Sequence, residues 1–260
     1  MNTKIYLFAI LGTLLAACSH ISDDERLIYV KPESAKRVVL LEDFTGQRCV
    51  NCPKGTAVIE QLQEVYGDAI IAVGIHGGPL GFKGSSTMVG LATDIGDEYY
   101  NHWNLEYQPV GLVDRQGAVN YTDWTKAVKD AMGRTAPLDL QVSATVSDSQ
   151  IDITVLTMGT DGDTTGKLQV WLLEDGITAL QMMPDGTSNR DYVHNHVLRA
   201  AVNGTWGEDI TVKEGETQEK QLSLMLDESW QPSQLSVVAF IYNDLGVQQA
   251  AKWSPLDTEQ

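Results

Sequence analysis

The chain has 260 residues and a net charge of −17 at neutral pH, because 35 acidic side chains outnumber 18 basic ones. Nucleic acid and anionic membrane surfaces repel so acidic a protein, which excludes a nucleic-acid partner and a basic membrane-binding patch. The chain contains three cysteines, so a zinc site with four cysteine ligands is excluded as well.

The first 17 residues have the pattern of a secretory signal peptide. An apolar run of about ten residues follows Lys4; it is too short to cross a bilayer and ends in Leu15-Ala16-Ala17-Cys18. A cysteine directly after small residues is typical of bacterial lipoproteins, so we predict removal of residues 1–17 and lipid attachment to Cys18. An ordinary signal peptide, in which this cysteine has no special role, is the alternative.

Residues 18–35 form a polar, acidic segment that we interpret as a solvated tether. Asp23, Asp24 and Glu25 lie shortly after the predicted lipid site, and their position resembles the acidic export signal of surface lipoproteins in some Gram-negative bacteria. A plain acidic linker is the alternative. The segment and the lipid together predict an outer-membrane protein that is anchored by its lipid, with the cell surface as the candidate final location.

A strand, a helix and a second strand are predicted next in the chain. Residues 37–44 and 69–76 are continuous apolar runs typical of buried parallel strands, and residues 53–67 carry apolar side chains at helical spacing. This order predicts a βαβ unit, with Cys49 and Cys52 between the first strand and the helix. The positive potential of the helix end favours a thiolate, so we expect Cys49 to be the exposed thiol of lower pKa.

The Cys-x-x-Cys pair alone has three interpretations: a redox centre, half of a zinc site, or a structural disulfide. No pair of histidines follows it at the spacing of a zinc finger. A zinc site would instead need scattered histidines from the set His76, His102, His194 and His196. We therefore predict no metal and no cofactor.

His76 ends the second predicted strand. Both strands of a βαβ unit end at the same edge of the sheet, so we expect His76 on the side of the cysteines. We interpret it either as a proton-transfer group for a departing thiolate or as an ordinary loop residue.

The segment around the cysteines resembles the active-site strand and turn of thioredoxins. Asp43 and Phe44 match the acidic residue and the phenylalanine of that family, and Cys49 follows the phenylalanine by five residues. Downstream, Pro109 and Gly117 match the interval between the thioredoxin cis-proline and a hairpin glycine. The resemblance implies a cis peptide bond before the proline.

The same resemblance implies roles for the site residues. Cys49 would be the attacking thiolate, Cys52 the resolving thiol and Asp43 a buried base that deprotonates the resolving thiol. Gln108 and Pro109 would shape a substrate groove. The Val-Asn dipeptide between the cysteines departs from the usual thioredoxin Gly-Pro, so the direction of exchange is not predicted.

After Pro137 the sequence changes to alternating strands separated by turn signals. Seven or eight strands are expected, which suits an immunoglobulin-like β-sandwich over residues 137–260, preceded by a thioredoxin-like domain over residues 36–136. One of these strands, residues 192–202, carries two histidines that would point to one face of the sheet. We interpret these histidines as half-buried, hydrogen-bonded sheet residues.

The whole predicted mature chain resembles the 28-kDa outer-membrane lipoprotein family, in which a thioredoxin-like domain is joined to a β-rich one. The segments "EDFTGQRCVNCP" and "YVHNHVLRAAV" carry this resemblance. The fold class expected is α/β plus all-β. The leading functional hypothesis is thiol–disulfide exchange with thiols or disulfides of envelope proteins. The alternative is a surface binding or adhesion protein whose disulfide is structural.

Overall fold

The computed structural model describes residues 31, 33–147 and 149–255. The predicted signal peptide, Cys18 and most of the predicted tether lie outside these residues. The described α-helices are α1 (Cys52–Tyr66), α2 (Asp94–His102) and α3 (Trp124–Met132). The described strands are β1 (Val39–Thr45), β2 (Ile70–His76), β3 (Val110–Val113), β4 (Ala118–Asn120), β5 (Leu138–Val146), β6 (Gln150–Gly159), β7 (Thr164–Glu174), β8 (Ile177–Met182), β9 (Ser188–His194), β10 (Val197–Ala201), β11 (Glu208–Val212), β12 (Thr217–Met225), β13 (Leu235–Asn243) and β14 (Gly246–Trp253).

The predicted strand–helix–strand unit is confirmed as β1, α1 and β2. Both strands are buried along their whole length and pair in parallel, with Thr45 opposite His76 at their carboxyl ends. Helix α1 has Pro53 in its first turn, where its missing amide hydrogen is not needed, and Gly67 follows its last residue with a φ of 55°.

The two faces of β1 pack against different helices, as the alternation of side chains in a strand requires. Val39 and Leu41 join a cluster with buried residues of α1 and α3, whereas Leu40 and Phe44 pack with Tyr99 of α2. By this alternation Asp43 lies on the α1 face and its neighbour in sequence, Glu42, on the opposite face.

One mixed sheet contains strands from both sides of Pro137. Its order is β14-β13-β7-β10-β2-β1-β3-β4, with β11 also paired to β7. The junction is a parallel pairing of β10 with β2, in which Val197 is opposite Gly74. The division predicted at Pro137 is therefore not a break between sheets, and the described residues from 33 to 255 belong to one compact unit. Pairing partners far apart in sequence leave no local signal, so this continuity was not predicted.

The second half of the chain is rich in β-structure, as predicted. Strands β5, β6 and β12 form a separate three-stranded sheet, and its apolar face packs on side chains of β7 and β13. The described residues after Pro137 contain ten strands rather than seven or eight. The excess comes from β8, which was not predicted, and from the division of the predicted strand over residues 192–202 into β9 and β10.

The prediction of a single strand over residues 192–202 is wrong. Strand β9 ends at His194 and β10 begins at Val197, and His196 between them has a φ of 58°. The turn is held by Asp175, whose Oδ1 accepts a hydrogen bond of 2.6 Å from the His196 amide. The two strands join different sheets, because β9 pairs with β8 and β10 pairs with β7 and β2.

Candidate functional site

Cys49 and Cys52 are joined by a disulfide bond in the turn between β1 and α1. The Cys49 amide donates a 3.0 Å hydrogen bond to the carbonyl oxygen of Gly46, and Cys52 is the first residue of α1. The predicted location, between the first strand and its helix, is confirmed. The described residues contain no cluster of three or more His, Cys, Asp or Glu side chains arranged to hold a metal ion.

The expectation that Cys49 is an exposed thiol is wrong for this disulfide-bonded state. Cys49 is 1% exposed and Cys52 is 2% exposed. The loop after β2 covers one side of the turn, since the Arg48 amide donates a 3.1 Å hydrogen bond to the carbonyl oxygen of Leu80. The effect of a helix end on a thiol depends on residues close in sequence, whereas the burial of Cys49 depends on a loop that lies about thirty residues further along the chain.

Strand β8, from the second half of the chain, covers the cysteine turn on another side. The Gln181 side-chain amide is buried and donates to the carbonyl oxygens of Cys49 at 2.9 Å and Gly46 at 3.3 Å. The buried Gln47 side chain donates to the carbonyl oxygen of Leu180 at 3.0 Å, and the Met182 amide donates to the Gln47 carbonyl oxygen at 2.9 Å.

Gln47 and Gln181 were missed by the sequence analysis. Gln181 follows the buried Ala179 by two residues and lies on the same face of β8. A glutamine at such an inward position was the signal that the sequence offered. Buried amides are normally hydrogen-bonded, and such a position indicates a partner elsewhere in the chain.

The peptide bond between Gln108 and Pro109 is cis, as predicted. Pro109 packs on the first turns of α1, because a Cβ atom added at Gly55 would lie 3.3 Å from the Pro109 Cβ. The Gln108 side chain joins the ends of two strands by donating to the carbonyl oxygens of Thr45 at 2.6 Å and Gly77 at 3.0 Å. Both residues are buried, so a groove at this place is not open in this state.

Asp43 is buried beneath the cysteine turn. Its side chain is on the α1 face of β1, is 3% exposed, and has no hydrogen-bond partner for Oδ1 among the described residues. Burial disfavours the charged carboxylate and raises the pKa of Asp43 to about 8. Asp43 and Cys52 both line a cavity of about 80 Å³, which has room for water.

Two histidines from different halves of the chain line the same cavity. His76 ends β2 at the cysteine edge of the sheet, as predicted, and its ring centroid lies 5.3 Å from that of His194 in β9. Burial, with the neighbouring His194 and Arg199, lowers the pKa of His76 well below its ordinary range. Burial also lowers the pKa of His194 to about 4, so both rings are neutral at pH 7.

The two histidines of the predicted single strand have different environments. His194 is buried, whereas His196 is half-buried and lies in the turn, where its Nε2 is 3.2 Å from Nε2 of Gln63. Both line the cavity despite the interruption between them. Arg48, beside the cysteines, is exposed, and its guanidinium carbon lies 5.0 Å from the centre of the Phe82 ring.

Solved structures with a similar fold include HBP35 of Porphyromonas gingivalis, which is 16% identical with a TM-score of 0.66 over 87% of this chain and 79% of that one. A protein from Agrobacterium tumefaciens is 15% identical with a TM-score of 0.52 over 85% of this chain and 96% of that one. A domain of the outer membrane lipoprotein Omp28 from P. gingivalis is 25% identical, with a TM-score of 0.35 over 46% of this chain and 88% of that one. A search of curated protein sequences finds no match.

Among the described residues no helix has both the length and the apolar character needed to span a membrane.

Family membership is shown by sequence. A model of the family described as outer membrane protein Omp28 matches residues 96–255, which is more than half of the chain. The match confirms both the resemblance to the 28-kDa family and the predicted outer-membrane location. The chain therefore belongs to the Omp28 family of outer membrane proteins.

Proposed function

We propose that this protein catalyses thiol–disulfide exchange with envelope proteins through Cys49 and Cys52. The observation that supports this most strongly is the buried Asp43, which shares a cavity with Cys52 and whose pKa burial raises to about 8. A purely structural disulfide needs no such group. In this proposal residues 36–136 are a thioredoxin-like domain and residues 137–260 an immunoglobulin-like sandwich.

The proposed reaction begins with the reduced pair. The Cys49 thiolate attacks a substrate disulfide, forming a mixed disulfide and releasing one substrate thiolate. The Asp43 carboxylate then takes the proton of Cys52, and the new thiolate attacks Cys49 Sγ. That step forms the intramolecular disulfide and releases the second substrate thiolate, so the substrate is reduced and the protein is oxidised.

A protein substrate requires movement of the cover over the cysteine turn. Both sulfur-bearing residues are buried, and the Gln181 side chain is hydrogen-bonded to the carbonyl oxygen of Cys49. Displacement of β8 would expose the turn, and Gln108 and Pro109 are proposed to contact the substrate there. His76 would assist by proton transfer, since it lines the same cavity.

The experiment that tests the proposal is trapping of the mixed disulfide. Cys52→Ser removes the resolving thiol, so we expect this variant to accumulate covalent adducts through Cys49 in its native envelope. The adducts are read as reductant-sensitive bands on a non-reducing gel and identified by mass spectrometry. Cys49→Ser is the matched control and should form none. If neither variant forms adducts and mild reductants leave the wild-type disulfide intact, the disulfide is structural.

A ligand-binding function is the second candidate, and one observation favours it. A cavity of about 670 Å³ lies away from the cysteines and is lined by the aromatic side chains of Trp103, Trp206 and Tyr242. Cavities with aromatic walls are typical of binding sites for small molecules. In this reading the disulfide is structural, so the trapping experiment separates the two candidates.

The lipid anchor is tested by Cys18→Ala. Without the thiol no lipid can be attached, so we expect the variant to leave the membrane fraction or to remain unprocessed. Cell fractionation and gel mobility measure the result, and Cys49→Ser serves as a control in which a different cysteine is lost. Wild-type mobility and membrane attachment in Cys18→Ala would rule out lipidation at this residue.

A further inference from the structure

Four buried polar atoms on residues that line the cavity beside Cys52 have no hydrogen-bond partner among the described residues, and one of them, Nδ1 of His196, lies 3.0 Å from Oδ1 of Asp175. The other three are Oδ1 of Asp43, Nδ1 of His76 and Nε2 of His194. Buried polar atoms are normally satisfied, either by protein or by ordered water. A cavity of about 80 Å³ between such atoms is both polar and large enough for water, which would join them by hydrogen bonds.

The protonation state of His194 is determined by its surroundings. Burial lowers the pKa of His194 to about 4, against hydrogen bonds with backbone groups of Ala179 and Leu180 that favour the charged form, so the ring is neutral at pH 7. Nε2 of this ring is buried and has no hydrogen-bond partner among the described residues, so it is free to exchange a proton with water in the cavity. A neutral imidazole with a free lone pair can accept a proton.

The cavity also reaches groups near solvent. Its lining includes Glu60 of α1, which is exposed, and Gln63 of the same helix, which is half-buried. The titratable and charged groups around the two histidines are Asp43 of β1, Cys52 and Glu60 of α1, Tyr192 of β9, His196 before β10, and Arg199 of β10. A proton that leaves Asp43 thus has a route past His194 toward the protein surface.

We propose that His194 is a proton-transfer residue of this site, and that it moves the proton of Cys52 from Asp43 to solvent through cavity water. This inference rests on the proposed exchange function. Cys52 gives its proton to the Asp43 carboxylate as its sulfur attacks Cys49. His194 accepts that proton at Nε2 through water and, because its pKa of about 4 lies below that of Asp43, passes it at once to bulk water. The carboxylate is then ready for the next turnover, and the substrate disulfide remains the oxidant.

The test measures turnover of the full-length protein with a disulfide-bonded peptide as substrate and dithiothreitol as reductant. His194→Phe keeps an aromatic ring beside His76 but removes the base, and we expect turnover to fall at least about tenfold. Because Cys52 is deprotonated more slowly, the mixed disulfide should accumulate in this variant and not in the wild type. The trapping of adducts by Cys52→Ser should be the same with and without His194→Phe.

Rescue by small bases distinguishes a proton-transfer role from a packing role. In His194→Gly, added imidazole should restore turnover and its pH profile, because it replaces the missing base. Pyrazole has a similar shape but is a far weaker base, and it should not restore turnover. Equal rescue by both compounds, or wild-type turnover by His194→Phe between pH 6 and pH 9, would overturn the inference. If the wild type itself neither turns over nor is trapped by Cys52→Ser, the proposed function fails and the inference fails with it.

Discussion

Asp43→Asn is expected to stabilise the folded protein at neutral and alkaline pH while slowing exchange by about a hundredfold or more. The folded-state pKa of Asp43 is about 8, well above the value of about 4 in an unfolded chain. The unfolded state therefore releases a proton between pH 4 and pH 8 that the folded state keeps. The contribution of Asp43 to the free energy of unfolding is therefore fully present below about pH 4, and it is lost as the pH rises toward 8.

The size of this effect follows from the linkage between pKa and folding. Each pKa unit corresponds to about 1.4 kcal/mol, so keeping Asp43 protonated in the folded protein costs on the order of 4 kcal/mol of stability at pH 7. Urea unfolding of the oxidised protein at several pH values measures it. Asp43→Asn should remove a decrease of this size between pH 4 and pH 8, with Asp152→Asn, at an exposed position of β6, as the control. Parallel pH curves for Asp43→Asn and the wild type would contradict a raised pKa.

Arg115→Met is expected to lower the free energy of unfolding by about 3–5 kcal/mol. The guanidinium of Arg115 pairs with the Glu42 carboxylate in the sheet interior, where the closest N–O distance is 3.0 Å and both side chains are nearly inaccessible. It also lies over the ring of Tyr242, 4.1 Å from the centroid. Removing the cation leaves a carboxyl whose pKa burial already raises, and which Arg115 helps to keep charged.

The double variant Glu42→Gln/Arg115→Met shows whether the unpaired charge is the cause. It should regain much of the lost stability, because no unpaired carboxylate is left at position 42. The loss in Arg115→Met should also be smaller at acidic pH, where protonated Glu42 has no charge to compensate. Thermal or urea unfolding of the wild type, the two single variants and the double variant provides the measurement. Equal losses in the single Arg115 variant and the double variant would assign the effect to lost packing instead.

The parts of the site that were predicted correctly depend on signals close in sequence. The apolar runs and the helical spacing around Cys49 locate the turn, and the interval from Pro109 to Gly117, with the resemblance to thioredoxins, identifies the cis bond. His76 follows from the rule that parallel strands of a βαβ unit end at one edge. These inferences need only the first half of the chain.

The parts that were missed depend on contacts between distant residues. Gln181 reaches Cys49 across 132 residues, and His194 meets His76 across the boundary predicted at Pro137. Neither contact has a local pattern, because side-chain periodicity indicates which face of a strand is buried but not what covers it. The burial of Cys49 could not be predicted for the same reason.

The pairing of β2 with β10 has a consequence for how the chain matures. When the chain emerges with its N-terminus first, the edge of β2 that pairs with β10 stays unpaired until residue 197 has emerged. The closing contacts come later still, since Arg37 donates a 2.9 Å hydrogen bond to the carbonyl oxygen of Val247. During this interval Gln181 has not yet reached the cysteine turn. Oxidising enzymes that meet the chain early can therefore form the disulfide before its cover is in place, and an exposed strand edge at that stage needs protection from aggregation.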